Sequence, residues 1–352
     1  MDPLGKSFPE LSRRHLLGGG AALIAAGVAK PSFAESGGFV STIFGGIYER
    51  EYRKNFVTPF TAASGIDVQL KLGSSGEWLT NAKVNRRNPE IDMLLLPFPD
   101  SIRATTEGLS IPLTADDIPN IKDVNPLFYD TYRRTGVAIS AVGYGIAYRH
   151  DLVPQPITDW EDLWDPRLAG KVAIPEIGVF GSWEFLVQTA KLAGGSEQNL
   201  EPAFAKLKAL KPNLKQFVKS GSDVVNLLGS GEAWVCPMQT NISPYAVIDA
   251  GKPVTFFYPK SGAMAGAASL HIVKNSRAIE QCKKFINFAL TKEAQEGFSR
   301  GVVALPTSTK AEVDPRTAAR IPSRDQLHLV DWEKIVPRMS DLAEKWNQAV
   351  GF

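Results

Sequence analysis

The sequence predicts an α/β protein built as two lobes. Two observations carry this. A strand–helix–strand–helix–strand alternation opens the chain, which is the signature of a parallel sheet. The same kind of pattern then restarts after a looser region, residues 114–134, in a chain whose 352 residues exceed what one ordinary core accommodates.

The elements follow in order. Phe39 to Phe44 reads as a strand ending at Gly45-Gly46. Tyr48, Tyr52, Phe56 and Phe60 are spaced by four, a helical stripe closed by Ser64-Gly65. Ile66 to Leu70 alternates as a second strand, and Ser74-Ser75-Gly76 opens a helix from Glu77 to about Arg86. Asp92 to Leu96 is a continuous apolar run, as a strand buried on both faces should be.

Beyond these, Val137 to Tyr148 is apolar and punctuated by glycine, as a segment crossing between lobes would be. Thr158 and Glu161 form an expected capping box. Short strands are expected at 172–174, 234–237, 254–258 and 269–273. Helices are expected at 182–192, 200–210, 277–290, 292–299 and 332–350.

Composition narrows the function. Hydrophobic residues make up 44% and charged residues 22%, with charge spread along the chain and no Lys/Arg-rich block for a nucleic acid. The formal net charge of +2 resides wholly in residues 1–34, where Lys6, Arg13, Arg14 and Lys30 face only Asp2 and Glu10. That stretch pairs Arg13-Arg14 with a mild Gly/Ala-rich apolar region and the small-residue site Ser32-Phe33-Ala34. It reads as a twin-arginine export signal cleaved after Ala34, and a periplasmic destination follows. Cys236 and Cys282 fall in strand-like and helical apolar runs and are expected as buried free thiols.

No enzyme signature is present. The chain lacks C-x-x-C, G-x-G-x-x-G and G-x-S-x-G, and His150, His271 and His328 show no ligand spacing. Neither a metal nor a cofactor is expected, and a secreted cofactor-dependent enzyme is the weaker alternative.

Residues 159–176, DWEDLWDPRLAGKVAIPE, resemble the polyamine, iron and phosphonate branch of the type II periplasmic solute-binding proteins. TPFTAASGIDV (58–68), SSGEWL (74–79), RNPEIDMLL (87–95), EGLSIPL (107–113), FINFALTKEAQ (285–295) and GVVALPT (301–307) agree in order. The resemblance implies two α/β lobes with ligand between them, residues 38–147 and 270–312 forming lobe one and 148–269 and 313–352 lobe two. It implies a monomer that captures a small solute and hands it to the membrane permease of an ABC importer.

Candidate ligand contacts sit where strands lead into helix N-termini, whose unpaired amides suit anions and carbonyl oxygens. These are Gly45, Gly46, Ser74, Ser75, Gly181 and Ser182, with aromatic Tyr48, Phe98, Phe180 and Trp183 just beyond the strands. By the resemblance, carboxylates that polyamine binders use fall at Phe180, Trp183 and Ala268. Gly266 and Thr240 stand where tryptophans are expected, and Asn241 joins them in the cleft. Glu176 and Glu184 are the acids nearby. Without those carboxylates a polyamine is disfavoured, since a buried ammonium needs a partner. Ferric iron is also disfavoured, because Tyr144 and Tyr245 are the only tyrosines placed to serve it. A neutral, anionic or zwitterionic carboxylate or phosphonate remains.

Overall fold

The computed structural model describes residues 37–351, so the export signal and its cleavage point lie outside the described residues. The strands are β1 (Phe39–Ile43), β2 (Val68–Leu72), β3 (Met93–Pro97), β4 (Val137–Arg149) and β5 (Val172–Pro175). They continue as β6 (Leu214–Val218), β7 (Val235–Gln239), β8 (Val254–Phe257), β9 (Ala263–Ile272) and β10 (Leu327–His328). Their lateral order is β2-β1-β3-β9-β4-β7-β5-β6, with β8 added to β4 and β10 to β9.

Two parallel groups, β2-β1-β3 and β6-β5-β7, are joined by long antiparallel strands. The apolar run of β3 has a simple cause. Met93 and Leu95 enter the main core, while Leu94 and Leu96 point to the opposite face among Trp78 and Leu79. Each fully buried leucine contributes about 1.5–3 kcal/mol.

β4 belongs to both halves. Val137 to Tyr144 pairs with β9, whereas Gly145 to Tyr148 pairs with β7 and Ile146 to Arg149 with β8. The ladder to β7 shifts register between Gly145 and Ile146. A side chain at 145 would meet the Phe257 carbonyl at 2.4 Å, so glycine is required at this crossing.

The aromatic stripe forms Ile47–Tyr52, a π-helical turn Arg53–Val57 and Thr58–Ser64. Pro59 lacks the amide that would continue the α-helical ladder, and the helix widens just before it. Tyr52, Phe56 and Phe60 are buried against Phe285 and Phe298.

Three expectations need correction. The capping box begins at Asp159 rather than Thr158: Asp162 accepts from the Thr158 and Asp159 amides at 2.7 and 3.1 Å, while Glu161 pairs with Lys206. The last helix is interrupted at Pro337 into Trp332–Ile335, a 3-10 turn Val336–Arg338 and Met339–Val350. β9 begins at Ala263, six residues earlier than its apolar run suggests, because its first half is mostly alanine and glycine. Cys236 and Cys282 are both buried free thiols.

Candidate ligand cleft

The C-terminal ends of the parallel strands gather the exposed apolar side chains. Ile47, Phe180 and Ile242 follow β1, β5 and β7 and Leu72 ends β2, and they are four of the six large hydrophobic residues exposed among the described residues. Such clustering at strand ends marks a surface waiting to be covered.

On the first side, Gly45 and Gly46 are exposed, and Gly46 adopts φ 76° at the start of helix Ile47–Tyr52. Tyr48 is half-buried, its hydroxyl 2.6 Å from that of Ser140 on β4 and its ring edge-on to Phe298. Ser74 caps helix Ser75–Val84, with its amide donating to Glu77 at 2.9 Å. The Ser75 hydroxyl donates to Asp100 at 2.5 Å, so both serines already have partners. Phe98 departs from expectation. It is 1% exposed and stacked on Tyr132 within the core, because Pro97 turns the chain and helix Phe98–Thr106 rolls its first residue inward.

On the second side, Phe180 stands 62% exposed with its ring 5.9 Å from Tyr144. Gly181, at φ 81°, lies so close to the next strand that a side chain would sit 2.7 Å from the Met238 carbonyl and 3.4 Å from the Tyr144 ring. Gly266 on β9 faces the same tyrosine, 3.1 Å from its hydroxyl by the same measure. Phe180, Gly181 and Gly266 therefore converge on Tyr144. Trp183 is half-buried against the core.

Ser182 and Asn241 are engaged elsewhere. The buried Ser182 hydroxyl donates to Val179 at 2.7 Å and accepts from Gly178, and its amide also goes to Val179. A hydroxyl buried in its own turn is satisfied locally, so the free Ser182 amide expected from the sequence is absent. Asn241 is 2% exposed and donates to the Val303 and Arg320 carbonyls at 2.8 and 3.1 Å. Thr240, beside it, is half-buried.

Glu184 changes the electrostatics. Helix Ser182–Leu192 is buried on nearly every side, and its one acid is 4% exposed. Burial raises the Glu184 carboxyl to about 7, with its own backbone amide opposing the shift. The same burial, with Glu184 nearby, holds the Tyr144 phenol far above its ordinary value. Sequence reading noticed Glu184 but gave it no role. In SWEFLVQTAKL the acid shares an i, i+4, i+7 stripe with Gln188 and Lys191, which reads as a solvated face, so the burial of Glu184 is decided by tertiary packing and carries no signal in the sequence.

On β4, Ser140, Val142 and Tyr144 alternate onto one face, and both Val142 and Tyr144 meet Gly266. Tyr48 thus meets this strand at Ser140 and Glu184 near Tyr144, two strand positions about 13 Å apart at the strand's rise. Iron would need tyrosines together, yet Tyr245 lies under Arg320 at 4.3 Å, away from this group.

Two α/β halves joined by the crossing strands β4 and β9 define a bilobal architecture. Residues 55–322 match the model of the bacterial extracellular solute-binding protein family, and the chain belongs to it. A Salmonella typhimurium protein named as a putative 2-aminoethylphosphonate-binding periplasmic protein is 25% identical over 335 residues, 90% of this chain and 94% of that one. The spermidine/putrescine-binding periplasmic protein of Escherichia coli is 23% identical over 305 residues, 82% and 85% respectively. The crystal structure of an ABC transporter from Clostridium perfringens superposes with a TM-score of 0.79 at 25% identity, covering 89% of this chain and 99% of its own. The chain is the solute-binding component of an ABC transporter and not an enzyme.

Proposed function

We propose that the cleft takes a compact zwitterionic or anionic solute of the carboxylate or phosphonate type. The observation that carries this is the buried carboxylate of Glu184, beside Tyr144 and the Phe180-Gly181 turn. One carboxylate suits one ammonium group. The anionic end would meet the exposed Gly45-Gly46 turn across the cleft. A polyamine carries several ammonium groups and no anion, so it would leave charges unpaired there. The Salmonella relative, named for an aminophosphonate, supports the same chemistry. Thermal-shift measurement with 2-aminoethylphosphonate and with spermidine tests this. A rise in melting temperature with the first alone is expected, and a rise with spermidine alone would contradict it.

The lobe boundaries proposed are residues 38–147 with 270–312, and 148–269 with 313–352. Phe185 against Trp346 supports the second grouping, although Arg133 clasps Glu333 at 2.6 and 2.8 Å across the halves. The protein acts as a monomer delivering solute to its permease, after export through the twin-arginine pathway. Replacing Arg13 and Arg14 together with lysine should leave precursor in the cytoplasm, and normal periplasmic levels would contradict that route.

A further inference from the structure

Met238 and Val303 are two of the five non-glycine residues with positive φ among the described residues, and Asn241 lies between them. Met238, at φ 54°, lies three positions before Asn241, and its carbonyl lies where a β-carbon on Gly181 would fall within 2.7 Å of it. Val303, also at φ 54°, is β-branched, for which this conformation is a genuine outlier. Its carbonyl accepts one hydrogen of the Asn241 amide, and the Arg320 carbonyl accepts the other.

These partners belong to different halves. Val303 ends helix Lys292–Val302, whose Phe298 packs on Tyr48 and whose following residue Leu305 bridges Ala141. Asn241 precedes helix Ile242–Asp249, which packs in the second half beside β8. Arg320 is anchored there as well, with both guanidinium ends on Asp249 at 2.9 and 2.7 Å. Residues 303–320 thus strap one half to the other, and Asn241 is the buried clasp on that strap.

We infer that Asn241 is a positioning residue that couples the Phe180-Gly181 loop to the strap, so that solute engagement and lobe closure occur as one event. Gly181 lies beside the Met238 peptide with too little room between them for even a β-carbon, so a shift of Gly181 toward β7 bears on that peptide. Met238 is three residues from Asn241, whose side-chain amide holds the strap by both of its hydrogens. Strained backbone persists only where its surroundings over-determine it, and it clusters at switches of this kind. The coupling rests on the solute-binding reading, but the clasp itself can be tested without solute.

Spin labels at Arg87→Cys and Lys208→Cys, both exposed and in opposite halves, report the inter-lobe separation of the ligand-free protein. The native thiols are buried and should not label. The parent should give one narrow distance distribution. Asn241→Asp removes both donors in the same shape and should broaden and shift it while circular dichroism remains native. Val303→Gly keeps the carbonyl, relieves the backbone, and should leave the distribution narrow. Should Asn241→Asp not fold, Asn241→Ser retains one donor and should give an intermediate broadening. An unchanged distribution in a folded Asn241 variant would overturn the inference, as would a Val303→Gly distribution as broad as that of the Asn241 variant. With 2-aminoethylphosphonate as probe, Asn241→Asp should raise Kd by about tenfold through the lost competent population. If the parent does not bind this probe, the solute reading fails, while the ligand-free distances still judge the clasp.

Discussion

Gly136 lies flat against the ring of His271, so that a β-carbon at 136 would come within 2.2 Å of the imidazole Cε1. His271 is fully buried, with Nε2 3.3 Å from Ser269 and Nδ1 3.4 Å from Ser110. Burial lowers its pKa to about 3, against a smaller opposing effect from the Thr135 backbone.

The folded protein therefore keeps His271 neutral where the unfolded chain would protonate it. Its contribution to stability is full above about pH 6.5 and is lost progressively as pH falls toward 3. Urea unfolding between pH 7 and pH 4 should show this loss, and His271→Gln should flatten it. Gly136→Ala should cost about 1–3 kcal/mol by overpacking, at every pH. A variant as stable as the parent would mean that the ring has room to move.

Glu184 has the opposite sign. Its folded pKa of about 7 exceeds the ordinary 4.5, so the native state holds a proton that the unfolded chain releases. Stability from this site is greatest at low pH and falls as pH rises through that window. Above pH 7, Glu184→Gln should be more stable than the parent by on the order of 2 kcal/mol. An ammonium-bearing solute needs the ionised form, so its affinity should fall about tenfold per pH unit below 7. Affinity independent of pH from 5 to 8 would remove Glu184 from the site.

Gly181→Ala tests the convergence on Tyr144. Both its φ of 81° and the 2.7 Å approach to Met238 oppose a side chain. A loss of about 1–3 kcal/mol in stability is expected, together with weaker solute binding. Unaltered binding and melting would show that the loop adapts freely.

Much of the fold was legible because periodicity survives tertiary context. The runs at 39–44, 92–96 and 137–148 became β1, β3 and β4 to within a residue or two. The first half of β9 was not legible, since Ala263 to Ala267 carries no strand pattern and is fixed only by its neighbours. The site was harder. Gly181 and Phe180 announce themselves as a turn beyond a strand, but whether Ser182 and Asn241 face ligand or backbone depends on partners far away in sequence. Asn241 finds Val303 across 62 residues. Phe98 went astray because position after a strand does not fix the rotation of the helix that begins there.

Isothermal titration calorimetry with 2-aminoethylphosphonate and spermidine tests the central claim most directly. The account predicts micromolar binding of the first and no better than millimolar binding of the second, a difference of about 4 kcal/mol. Trp183→Ala and Glu184→Gln should each weaken the first, the former by about 2 kcal/mol if the ring anchors solute. Micromolar spermidine binding that survives both substitutions would contradict the assignment of this cleft.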